Sequence, residues 1–103
     1  MSPDWMQILQ KHGETVQHLH AKVQIILASE SLTVDQVLLL GRIVDKGARY
    51  ADGLASQMLE AGVGPSYIEA AEALQEIYKV LLAAIDAKLQ ALRRRKIVLV
   101  SDT

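Results

Sequence analysis

Half of the 103 residues are apolar, and twelve acidic against eleven basic side chains leave a formal charge of −1. A chain this long has room for one modest core, and so small a net charge supplies no field toward nucleic acid or an anionic membrane. The absence of cysteine excludes disulfides, thiolate metal sites and cysteine nucleophiles.

The aromatics are one Trp and three Tyr, with no Phe, so Ala, Leu, Ile and Val are expected to fill the interior of closely packed helices. Residues 1–10 lack the basic segment and long apolar run of a signal peptide. The longest apolar runs, 37–40 and 80–85, fall far short of the roughly 20 residues of a membrane span. A cytoplasmic location without membrane contact is the expectation.

The first helix is predicted over about 3–28. Ser2 suits its N-cap, Pro3 its first position, and Asp4 the positive end of its dipole. Its apolar seam is Trp5, Leu9, Val16, Leu19, Val23 and Ile26, with His12 occupying one turn. Gly13 weakens it by roughly 1 kcal/mol relative to Ala.

The second helix is predicted over about 33–61, opened by a Thr33–Gln36 capping box with Leu32 and Val37 as a hydrophobic staple. One side carries Val37, Val44, Ala48, Ala51, Ala55 and Met58; the side next to it carries Leu40, Ile43, Tyr50 and Leu54. Gly41, Gly47 and Gly53 each cost helix stability, which points either to close backbone packing or to a bend.

Gly62-Val63-Gly64-Pro65 is a strong break, and a second capping box, Ser66 with Glu69, predicts a third helix over about 66–95. That helix has a seam of large residues (Tyr67, Ala71, Leu74, Tyr78, Leu81, Ile85, Leu92) and a seam of small ones (Ala70, Ala73, Ile77, Val80, Ala84, Ala87, Ala91). The combined arc is wider than one neighbouring helix covers. Arg93-Arg94-Arg95-Lys96 is read as the helix end, and the β-branched run 97–100 as an extended tail. The fold class is therefore all-α: three long helices in an antiparallel bundle with a short extended C-terminal tail, one domain over 1–103, and a homodimer to cover the double seam.

The residue patterns point away from catalysis. His18 and His20 are two apart and so face different ways on a helix. Glu14 and His18 have helical ligand spacing but no third ligand nearby, so neither metal nor cofactor is expected. Asp45, Asp52, Glu69, Glu72, Glu76 and Asp86 are explained by solvated helix faces. The turn around 62–65 suggests a helix-turn-helix, but its second helix offers Glu69 and Glu72 with no Arg, Lys or Asn to meet phosphate or bases. Direct nucleic-acid binding is not expected.

Three stretches carry a family pattern. Glu30-Ser31-Leu32-Thr33-Val34-Asp35, with Arg42-Ile43-Val44-Asp45-Lys46 after it, forms E-x-h-T-h-D and R-h-V-acidic-K, where h is apolar. Tyr67-Ile68-Glu69-Ala70-Ala71 follows a Gly-rich break, and Lys96-Ile97-Val98-Leu99-Val100 closes the pattern. In this order the stretches resemble the TraM quorum-sensing antiactivators, helical dimers that silence LuxR-type transcription factors. Residues 1–29 depart from that family's Leu-Arg-Pro opening, and the loop before Tyr67 is shorter.

The resemblance implies a non-enzymatic, dimeric antiactivator that grips a LuxR/TraR-type activator and keeps it from DNA. The expected contact residues are Tyr67, Glu69, Glu72 and Glu76, flanked by Arg42 and Lys46. An acidic helix beside tyrosines suits the basic face of a DNA-binding domain. The alternative reading is a helical chaperone or co-chaperone of a secretion system, whose apolar arc would cover a substrate helix.

Overall fold

The computed structural model describes residues 3–101, with side chains through Arg95. Its elements are α1 (Trp5–Leu27), α2 (Val34–Glu60) and α3 (Pro65–Ser101), and no strand occurs among the described residues. Contacts fix the directions. Gly41 meets Ile85, Gly47 meets Tyr78, and Asp52 accepts a hydrogen bond of 2.9 Å from the Gln75 amide, so α2 and α3 run antiparallel. His12 lies on Tyr50 while Ile25 and Ile26 face residues 36–43, so α1 runs antiparallel to α2. The result is an up-down-up rod of 65 × 21 × 19 Å.

Local chemistry sets the helix ends. Thr33 forms the expected capping box: its hydroxyl accepts from the Gln36 N–H at 3.2 Å, and the Gln36 side chain accepts from the Thr33 N–H at 2.9 Å. Leu32 and Val37, the staple pair, are both buried. The end of α2 is a Schellman motif. Gly62, at φ 68, donates to Leu59, and Val63 donates to Met58. Two of the four carbonyls left open at the helix end are thereby satisfied, and Gly62 occupies the left-handed position that a side chain would strain.

Three boundaries differ from expectation. α1 begins at Trp5, because the Asp4 carboxylate caps the Gln7 N–H at 3.2 Å; Ser2 lies outside the described residues. The Ser66–Glu69 box does not form. Pro65 takes the first helical position, its missing N–H costing nothing there, and Gly64 accepts from Tyr67 and Ile68, which places Ser66 inside the first turn. The extended tail is also absent: α3 continues through Arg93, Arg94 and Arg95 to Ser101. A helix already running adds a hydrogen bond per residue, and a β-branched residue costs it less than about 1 kcal/mol.

The core follows the seams. Leu9, Val16 and Val23 of α1, seven residues of α2 from Val37 to Met58, and Ala71, Leu74, Tyr78, Leu81 and Ile85 of α3 are buried in one cluster. No polar or charged residue is buried among the described ones. The small seam of α3 is different: Ala70, Ala73, Val80, Ala84, Ala87 and Ala91 are exposed, and only Ile77 is half-buried.

Gly47 shows close packing, not a bend. A Cβ there would stand 2.7 Å from the Tyr78 ring and hydroxyl, whereas at Gly53 it would meet nothing and at Gly41 only Ile85 at 3.6 Å. Tyr78 is buried and cannot swing aside. Gly47→Ala is therefore expected to destabilise by about 1–3 kcal/mol through overpacking, despite the better helix propensity of Ala. Gly53→Ala is expected to stabilise by about 0.5–1 kcal/mol. Urea unfolding of the two variants checks both signs.

Candidate protein-binding surfaces

Glu69, Glu72 and Glu76 fall at spacings of three and four on α3 and are all exposed. Counting 100° per residue, they share the face opposite buried Tyr78 and Leu74. None is ion-paired; among the described residues the ion pair present is Arg49–Asp45, at 3.0 Å. The other expected contact residues do not join them. Tyr67 turns inward and packs half-buried against the core. Arg42 and Lys46 are exposed on α2, with Arg42 in a shallow groove beside Leu82, Asp86 and Leu89. That places Arg42 roughly 20 Å along the helix axis from Glu69. The structure thus holds the three glutamates together as one acidic face and leaves Tyr67, Arg42 and Lys46 elsewhere.

A second surface lies on the α1–α2 side. α1 leans on α3 far more than on α2, and the side of the α1–α2 pair beside the 28–33 turn is left open. The space between them is an open groove of about 510 Å³ lined by Ile25, Ile26, Leu32, Leu39, Leu40 and Ile43, with Ser29, Ser31 and Gln36. Ile25 is 73% exposed, Leu39 58%, Ile43 51% and Ile26 38%. Ile26 and Ile43 fall on the apolar seams, yet both stay exposed. The signal for this surface was present in the doublet Ile25-Ile26 and the run 37–40, which put apolar residues on more than one face of their helices.

Where α1 meets both partners, His12 stacks on Tyr50 with ring centres 4.8 Å apart and hydrogen-bonds the Tyr78 hydroxyl through Nε2 at 3.1 Å. Burial pushes the imidazole below its ordinary value of 6.5 and the Tyr78 hydroxyl above its ordinary value of 10.0. Both shifts favour the neutral forms, which suits a structural tie. Among the described residues no three of His, Cys, Asp and Glu gather where they could hold a metal ion, and no helix is long and apolar enough to cross a membrane.

Comparison of the chain with protein-family models, curated proteins and solved structures finds no match.

The His12 shift has a definite sign. As pH falls, the unfolded chain takes up a proton at His12 before the folded chain does, so the stability owed to neutral His12 is fully present above pH 6.5 and is lost as pH falls from there through the lowered folded value. For Tyr78 the contribution is fully present below pH 10.0 and is lost as pH rises through the raised folded value. Urea midpoints measured against pH are expected to drop below pH 6.5, and His12→Gln to remove its share of that slope.

Proposed function

We propose that this chain is a non-enzymatic, cytoplasmic regulator: an antiactivator that binds a LuxR/TraR-type quorum-sensing transcription factor and blocks its hold on DNA. The observation that carries this reading is the acidic face of α3. Glu69, Glu72 and Glu76 stand exposed and without an intrachain cation on the helix that opens with the family-like Tyr67-Ile68-Glu69-Ala70-Ala71. A surface whose charge is not used inside its own fold is available to steer a basic partner, and the DNA-contacting face of an activator is basic of necessity. Tyr67 supports that face from beneath by anchoring the first turns of α3 to the core. Arg42 and Lys46 belong to a separate part of the surface, where they could meet acidic groups on the activator.

The exposed strip of Ala70, Ala73, Val80, Ala84, Ala87 and Ala91 supports a homodimer, since small residues let a second helix approach closely. Sedimentation of a concentration-independent monomer at high micromolar protein would refute that part. One observation favours the secretion-chaperone alternative: the open apolar groove between α1 and α2, which has the form of a site for a substrate helix.

The test of the main reading uses Glu72→Lys with Glu76→Lys, which spares the core. Association with a purified LuxR-type activator is expected to slow by about tenfold at low salt, with a flatter salt dependence, and release of the activator from its DNA site should weaken in parallel. Unchanged on-rate, affinity and salt slope in a folded variant would remove the acidic face from the interface.

A further inference from the structure

The α1–α2 groove is a surface apart from the acidic face of α3, and what it fits can be read without reference to an activator. Its floor is Leu32 and Leu40, and its walls are Ile25 and Ile26 on one helix and Leu39 and Ile43 on the other. The walls belong to two antiparallel helices, so the apolar strip runs lengthwise and is open to solvent, the form that accepts a helix laid along it.

Charge around the groove is unevenly placed. On α1, Lys22 stands one turn before Ile25 and Ile26; on α2, Lys46 stands one turn after Ile43; both are exposed. Neither has an acidic partner within ion-pair distance among the described residues. The acidic residues sit at the other end, Glu30 in the 28–33 turn and Asp35 in the first turn of α2, both exposed. A seated helix therefore meets cations along its flanks and anions at the end that abuts the turn.

We infer that this groove is a docking site for an amphipathic helix of a partner protein. Its apolar stripe repeats at i, i+3/i+4 and i+7, carboxylates flank the stripe toward Lys22 and Lys46, and a basic residue lies at the end seated by Glu30 and Asp35. The stripe covers Ile25, Leu39 and Ile43, the side chains that α1 and α2 leave bare.

Two synthetic helical peptides with one leucine stripe and opposite charge patterns test this against the full chain. The matched peptide carries Glu flanks and a Lys end; the reversed peptide carries Lys flanks and a Glu end. The matched peptide is expected to shift the backbone amide resonances of Ile25, Ile26, Leu39 and Ile43 and to bind at least tenfold more tightly at low salt, with the gap narrowing as salt rises. Lys22→Glu with Lys46→Glu, two exposed changes that spare the core, is expected to invert the preference. Equal or stronger binding of the reversed peptide overturns the inference, as does binding that leaves those four amides unmoved. Shifts of the same amides on raising protein concentration without peptide also overturn it, because a second copy then fills the groove. Failure of the unaltered chain to bind an activator, with the matched peptide still bound, would sink the antiactivator reading alone, and activator binding without peptide preference would sink this one alone.

Discussion

Tyr78 enters α2 where α2 has no side chain, and the arrangement of the bundle depends on that fit. At 2.7 Å from the place a Gly47 Cβ would occupy, the ring locks one register between α2 and α3. Shifting the helices by a turn would drive Tyr78 against Ile43 or against Ala51, with a side chain where the glycine now gives room. The same register brings Gln75 to Asp52 and Ile85 to Gly41. Because the hydroxyl reaches past the glycine to His12, which itself stacks on Tyr50, one side chain also ties the third helix to the other two. Protein interiors are packed as closely as organic crystals, and here Leu, Val, Ile, Met and Ala side chains surround one buried aromatic.

The groove is a consequence of where that tie falls. α1 is held in its first half by His12 and along its length by Leu9, Val16 and Val23, all directed into the shared cluster. Its last turn leads through the 28–33 turn, with Leu32 buried, into α2. A helix that packs mainly against α3 covers little of α2, and Ile25, Ile26, Leu39 and Ile43 stay exposed. Exposed apolar side chains scattered singly are ordinary; these four converge on one trough, which is why they count as a surface.

Much of this architecture was legible in the residues. The Thr33–Gln36 box works because both partners are local, and the seams at three and four mark the core because burial imposes that period. Local competition explains the misreadings. Ser66 has the side chain for a cap, but Pro65 claims the first helical position, so the cap falls to Gly64 and its carbonyl. The run 97–100 has strand-forming residues, yet among the described residues there is no second strand for it to pair with, and a helix in progress needs none. The acidic face could be read because helical spacing alone places Glu69, Glu72 and Glu76 together. The groove was signalled only in part, by the doublet Ile25-Ile26 and the run 37–40, since which of those side chains stay uncovered depends on how α1 sits against α2, and neither helix encodes that by itself. Gly47 lies between these cases: its presence signalled close packing or a bend, and only the neighbour 31 residues later in the chain, Tyr78, decides which.

A formal charge of −1 conceals how the charges are distributed along the rod. The glutamates of α3 lie beside the α2–α3 turn, while the groove lies toward the α1–α2 turn, on the other side of the Gly47–Tyr78 contact. The two surfaces share no residue. Each can be occupied while the other is engaged, and mutations in one need not report on the other. The two surfaces differ in how much of the fold they need. The acidic face belongs to α3 alone and survives wherever the α2–α3 hairpin survives. The groove exists only while α1 is docked, since one of its walls is the last turn of α1. A helix lying across both walls binds the docked form and not the undocked one, so by mass action it strengthens the association of α1 with the hairpin. The weakest seam of the bundle is thereby the one that a partner would reinforce.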